Sequence, residues 1–529
     1  MGQTEHPAAV PADLDRAEPQ CPHFGPCGGC QLQDVAYTAQ LRHKGAQLRA
    51  LLAKHDFSFG SGAEEAAATR LPEIQVHPSP PFAYRNRIRL TLGEVDGRLR
   101  AGYIRSSVDP RTGYPTSGVP GERVCSLGSA SGLSDVGSPD SPDSEDVDPS
   151  LPSLARSFLP ITQCPIAAPI LWRAAEAFLA LANRQSGLWL RGPQHALDQL
   201  ELFTTADESR LQLSVYLRAR TGSAAKAAPA KLAAAFAALC ESLRTRIPEL
   251  TGAGSFLLPP KSTQRSRRAE QPRPGPTWGA PGLNYTVPTP DESITTQDEV
   301  VILSGAKNPR ISSLPLPIPQ LTTNNQQLAT AFLPLPLPQL TTNNQQLATA
   351  FWVPRGAFFQ INRFLIPELV SLVTAGYAGA LAWDLYAGVG LFSRALAPHF
   401  TRITAVEIAE PAASALATTS LVNLRAVKAT TLDFLRAAVV ERDRPDLIVL
   451  DPPRSGAGPE VCELLGRIAA PALVYVSCSP ETLPADLVTL AASGYSIAEL
   501  HLVDLFPQTT HIETVAILIR DSAAKAPVR

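Results

Sequence analysis

ALAWDLYAGVG, residues 380–390, is a short apolar run that ends in an acid and then breaks into two glycines. Such a run, bounded by turn residues, reads as a strand buried on both faces, with a helix starting beyond the glycines. The design recurs in RITAVEI (402–408), DLIVLDPP (446–453) and ALVYVSC (472–478), and stretches of helical length separate most of these strands. Strands alternating with helices predict an α/β fold with a doubly wound, mainly parallel sheet over residues 352–529.

Ligands of such sheets sit at the carboxyl ends of the strands, and the chemically useful residues fall there repeatedly. Asp384 closes the first strand, and Gly388 and Gly390 let the backbone pass close to a ligand. Glu407 ends the second strand, where an acid commonly accepts hydrogen bonds from ribose hydroxyls. Asp433 follows the third strand, placed to receive an adenine amino group. Asp451 opens the DPPR run (451–454) after the fourth. The glycine loop lacks the third glycine of a pyrophosphate-binding fingerprint, which disfavours a dinucleotide and suits S-adenosylmethionine. Cys478 ends the fifth strand. Ser479 and Pro480 read as N-cap and first residue of the next helix, a placement expected to lower the thiol pKa. The final hairpin, HLVDLFPQTTHIETVAILIR (501–520), places His511 and Glu513 after a Pro-Gln-Thr-Thr turn. Its alternation puts both on one face, and a carboxylate entering an apolar strand needs a partner or a task.

Upstream the chain is organised differently. Its 529 residues exceed one ordinary core. Residues 1–20 read as a disordered tail, and 31–55 as a helix with Leu41, Leu48, Leu51 and Leu52 roughly on one side. A hairpin turns at Asp96-Gly97 within YRNRIRLTLGEVDGRLRAGYIR (84–105), and a second is LELFTTADESRLQLSVYL (200–217). Helical patterns occupy 168–184 and 228–245. Residues 107–155 read as a disordered insertion, and 290–351 as low-complexity chain in which 314–332 is repeated at 333–351. Residues 21–106 and 156–289 are expected to form one α+β domain.

The net charge is −2, so any surface for nucleic acid must be local. The Arg-rich hairpin 84–105 and the basic stretch 261–273 are the candidates. No apolar run is long enough to span a membrane and the N-terminus has no apolar signal core, so a cytoplasmic protein without a membrane partner is expected. In that reducing compartment the eight cysteines read as ligands, nucleophiles or buried thiols.

AFFQIN (357–362), DLYAGVGLFS (384–393), DPPRSG (451–456), VSCSPETL (476–483) and HIETVAIL (511–518), with CPHFGPCGGCQLQ (21–33), YRNRIRL (84–90) and ITQCPI (161–166), resemble the iron–sulfur-containing bacterial RNA (uracil-5-)-methyltransferases. The resemblance implies a Rossmann-like S-adenosylmethionine-dependent domain behind an N-terminal α+β iron–sulfur and RNA-binding domain. It implies a monomer acting on RNA, ribosomal foremost and transfer RNA second. Gln360, Tyr386, Glu407, Asp433 and Asp451 would line the cofactor and uracil pocket. Cys478 would be the nucleophile and Glu513 the base, with Arg454 stabilising enolate charge. The family usually has Asn where Leu391 and Ser479 stand here. An amino-group methyltransferase, which also uses Asp-Pro-Pro, stays open at this point.

Cys21, Cys27 and Cys30 show C-x5-C-x2-C spacing, and Cys164 is the candidate fourth ligand. An all-thiolate set suits zinc or a four-iron cluster, and spacing does not separate them. The resemblance implies [4Fe–4S]. Cys125, Cys240 and Cys462 read as non-ligands.

Overall fold

The computed structural model describes residues 14–55, 57, 71–104, 158–184, 195–219, 229–259, 272–287 and 350–520. Residues 107–155, Cys125, most of the basic stretch and nearly all of the repeat lie outside them.

The C-terminal half forms the anticipated sheet. Strands β11 (Gly379–Leu385), β12 (Phe400–Val406), β13 (Leu424–Val427), β14 (Leu447–Leu450), β15 (Ala472–Ser477), β16 (Tyr495–Val503) and β17 (Glu513–Arg520) are joined by β1 (Ile74–His77). The order is β1-β16-β17-β15-β14-β11-β12-β13. All neighbours are parallel except where β17 runs against β15 and β16. All four residues of β14 are buried, as a strand covered on both faces requires. The connections run one way from β11 to β13 and the other way from β14 outward. The switch point is therefore the crevice between β11 and β14, where an open α/β sheet takes its ligand.

The N-terminal half builds a seven-stranded sheet of order β4-β3-β2-β5-β6-β7-β8, with β4 at Phe158–Pro160, β7 at Leu250–Leu258 and β8 at Arg273–Gly279. Here β2 (Arg87–Val95) and β3 (Arg98–Ile104) turn at Asp96 and Gly97, both at positive φ. Strands β5 (His195–Thr204) and β6 (Leu211–Ala219) form the second anticipated hairpin. Helices α2 (Pro169–Arg184) and α3 (Pro229–Arg244) pack over this sheet, burying Phe178, Leu200, Leu213 and Phe236.

Three features depart from the sequence reading. Residues 14–20 are not a loose tail throughout: Ala17 N donates to Asp34 O and Ala36 N to Asp15 O. Strand β1, early in the chain, pairs with β16 at the edge of the C-terminal sheet. Helix α1 (Tyr37–Leu52) buries Gln40, Lys44, Leu48 and Leu52 rather than a purely leucine face, and Leu48 and Leu52 enter the C-terminal core. Among the described residues no helix is long and apolar enough to cross a membrane.

Candidate active site and cysteine cavity

The strand register brings the acids and the thiol to one edge of the sheet. Ser477, the last residue of β15, lies opposite Thr514 in β17. Cys478 and Glu513 are each one residue further out, so they face each other across the strand pair. A turn fixes the thiol: Ser479 N donates to Ser477 Oγ (3.3 Å) and Ser477 Oγ to Ser479 O (3.1 Å). Leu450 pairs with Leu385 on one side and Tyr475 on the other, which sets Asp451 between Tyr386 and the thiol strand. Gln360 Nε2 donates to Asp451 Oδ2 at 3.4 Å. The Gln360 segment is held by asparagines: Asn86 Nδ2 donates to Gln360 O, and Asn362 Nδ2 to Ser79 Oγ and Leu505 O.

The glycine loop is tied from below. Asp384 is fully buried, and its Oδ2 accepts hydrogen bonds from Ser393 N and Oγ. Burial pushes its carboxyl up to about 7 against those two bonds. Glu407 accepts from Gly388 N (2.8 Å) and Ala409 N (2.6 Å), so it shapes the loop as well as facing the crevice. Gly388 and Gly390 have φ of 56° and 87°, and Tyr386 between strand and loop has 61°. A Cβ on Gly390 would meet Leu416 Cδ1 at 2.8 Å, whereas one on Gly388 would point into open space. That open face suits the close approach of a ligand. Asp433 sits in the first turn of the helix Thr431–Glu441 as an exposed cap partner of Thr430, with Arg436 beside it. Leu391 is buried in the core, and Ser479 is buried with its hydroxyl on Glu481.

Electrostatics run against one expectation. The helix after Cys478 begins only at Leu483, with Thr482 at its N-cap. Its dipole therefore does not fall on the thiol, because end effects fade within a turn. Cys478 is instead pushed up to about 11, first by burial, then by Glu513 and Asp451, with exposed Arg454 opposing. Glu513, buried, is raised well above the usual carboxylate range by desolvation and then by Asp451. Asp451 is raised by desolvation and by Asp384.

His511 does not share the face of Glu513, because β17 starts only at Glu513. It lines a separate cavity of about 260 Å³ together with Cys21, Cys27, Cys30, Cys164, Arg85 and Gln163. Burial and nearby positive charge push its imidazole down to about 4. The three cysteines singled out by spacing thus meet Cys164 in one place, and none of the four is in a disulfide. Burial raises Cys30 to about 12 and Cys164 to about 11, with Arg85 opposing in both. No three His, Cys, Asp or Glu side chains among the described residues form a ready site for a single metal ion. Sequence reasoning had assigned Arg85 to an RNA surface; its place inside YRNRIRL was the only hint of this one. Arg87 is also committed internally, stacking 4.3 Å from the Phe203 ring and donating to Ala357 O. Arg98 and Arg100 remain exposed on the hairpin.

These features define a Rossmann-like methyltransferase fold. It is shared with the Pyrococcus abyssi tRNA (uracil-54, C5)-methyltransferase, solved with S-adenosyl-L-homocysteine, at a TM-score of 0.52 and 17% identity, over 93% of this chain and 86% of that one. More narrowly, residues 344–521 match the family described as tRNA (Uracil-5-)-methyltransferase. An uncharacterized RNA methyltransferase of Thermotoga maritima is 40% identical over 175 residues, 32% of this chain and 39% of that protein. The 23S rRNA (uracil(747)-C(5))-methyltransferase RlmC of Shewanella putrefaciens is 36% identical over 171 residues, 31% of this chain and 43% of its own. The alignments thus span about two fifths of these curated relatives.

Proposed function

We propose that this chain methylates carbon 5 of a uridine in RNA, taking the methyl group from S-adenosylmethionine. A site in 23S ribosomal RNA is the first substrate to test, as the named RlmC relatives act there. The meeting of Cys478, Glu513 and Asp451 at the switch-point edge carries the reading. An amino-group transfer would need no thiol in that position.

Carbon 5 of uracil is too weak a nucleophile to accept a methyl group unaided. Cys478 thiolate adds to carbon 6, and the displaced π electrons move through carbon 5 to the O4 enolate. The methyl donor, a consumed co-substrate, supplies an electrophilic carbon on a positive sulfonium. Carbon 5 attacks that methyl carbon, the S–CH3 bond breaks to release S-adenosylhomocysteine, and carbon 5 then bears both hydrogen and methyl. Glu513 takes the hydrogen as a proton, the C5–H electrons form the C5–C6 double bond, and the C6–S bond breaks to return the thiolate. Arg454, beside Cys478 and Glu513, stabilises the enolate. Gln360 and Asp451 hold the uracil edge. Tyr386, Gly388, Gly390, Glu407 and Asp433 hold the donor. The target base leaves its stack to reach this buried edge.

The cysteine cavity fits a [4Fe–4S] cluster held by Cys21, Cys27, Cys30 and Cys164. Four thiols line one volume, the donor set that such a cluster takes. Such a cluster would cross-link the segments around residues 21–30 and 164. Arg98 and Arg100 would meet RNA phosphates, and the enzyme would act as a cytoplasmic monomer. The test is incubation with unmodified 23S rRNA and isotopically labelled donor, followed by mass mapping. Labelled 5-methyluridine at one site is expected; label on an exocyclic amine, or none, would overturn the reading.

A further inference from the structure

The base Glu513 is the first residue of β17, and the loop 504–512 that delivers it is gripped from the other end of the chain. Lys44 and Asp504 are both fully buried and pair at 2.6 Å. Lys44 Nζ also donates to Phe506 O at 3.0 Å, and Tyr37 OH donates to Asp504 Oδ2 at 2.9 Å. Four residues before Lys44 on the same helix face, Gln40 makes a reciprocal pair with Gln508. Its Nε2 donates to Gln508 Oε1 (2.9 Å), and its Oε1 accepts from Gln508 N (3.0 Å). Gln508 holds φ +68°, which a residue with a Cβ rarely adopts unless its surroundings impose it. The amides of Gln31 and Leu32, directly after Cys30, both donate to Gln508 O at 3.0 Å.

Burying an ammonium and a carboxylate gains little stability over apolar side chains of similar size. What such a pair adds is direction: Lys44 fixes two points of one loop, and Gln40 fixes a third. We infer that the Lys44–Asp504 and Gln40–Gln508 pairs position Glu513 for removal of the carbon 5 proton, making the N-terminal helix part of the methyl-transfer machinery. The inference rests on the function proposed above. Lys44 and Gln40 touch no reacting atom; they are positioning residues, and their effect falls on the closing elimination. Addition of Cys478 and methyl transfer precede proton removal, so a slack loop leaves those steps alone. It slows loss of the C5–H proton and expulsion of the thiolate.

The test compares wild type with K44M/D504L, which replaces the pair by apolar groups, and with Q508G, which relieves the positive φ. Thermal melting and donor affinity are measured first. Trapping on RNA carrying 5-fluorouridine follows; fluorine cannot leave as a proton, so trapping is independent of Glu513. Breakdown of the methylated protein–RNA adduct on natural RNA is then timed. The expected result is unchanged melting, donor affinity and trapping, with breakdown slowed about tenfold to a hundredfold, as a displacement near 1 Å predicts. Wild-type breakdown in a folded K44M/D504L protein overturns the inference. If that variant does not fold, Q508G decides by the same readout. Absence of trapping on wild type itself would instead remove the proposed function, and this inference with it.

Discussion

Among the described residues, Cys478 and the four cysteines of the N-terminal cavity are half-buried, in different company. At the sheet edge one cysteine, Cys478, faces carboxylates and is pushed up to about 11. In the N-terminal cavity four cysteines face one another and Arg85, and burial again pushes them up. At both, desolvation outweighs the opposing arginine, Arg454 at one and Arg85 at the other, and an added positive charge nearby would favour the ionised thiol. In the reading above, the donor's sulfonium brings that charge to one site and metal brings it to the other.

The largest effect expected from breaking this comparison is at the lone thiol. Cys478→Ala should lower methylation by on the order of 10⁴-fold or more, as loss of a nucleophile does, while melting stays near wild type. Glu513→Gln should cost about 10²–10⁴-fold in turnover, the range for a lost general base. Unlike Cys478→Ala, it should accumulate the covalent adduct, seen as an RNA-shifted band on a denaturing gel. Cys30→Ser should abolish iron and sulfide in anaerobically purified protein and lower melting. Stoichiometric zinc without iron in the wild type would contradict the cluster.

A pH series sharpens the contrast further. Without ligand, alkylation of Cys478 should rise with pH toward a midpoint near 11. S-adenosylmethionine should move that midpoint down by about one unit or more, while neutral S-adenosylhomocysteine should not, since only the sulfonium carries the charge. The smallest effect concerns stability. Asp384 is held at about 7, above its unfolded value. A raised carboxyl stabilises the fold fully below the unfolded pKa, so ligand-free melting should fall as pH rises from about 4 to 7 and then level. Asp384→Asn should flatten that slope.

The sheet was legible because its signals are local. ALAWDLY and DLIVLDPP carry strand length, apolar character and terminal acid within one window, and both fold as read. The cysteine set was legible from spacing for three members, with the fourth found across the chain. What the sequence hid are pairings between distant segments. Gln40 and Lys44 look like the wet side of α1 until Gln508 and Asp504, more than 450 residues away, cover them. The helix start after Cys478 was misplaced because Ser-Pro is a strong local signal, and the turn Ser477–Ser479 uses that serine differently. His511 and Glu513 alternate like strand residues, yet the strand begins only at the second of them.

Position 478 carries the whole account: its sulfur must bond to a pyrimidine ring for carbon 5 to accept the methyl group. RNA containing 5-fluorouridine, incubated with the protein and S-adenosylmethionine and then digested, should leave a methylated fluorouracil on the peptide bearing Cys478. A protein that methylates natural RNA under the same conditions but carries no nucleotide on that peptide would contradict it.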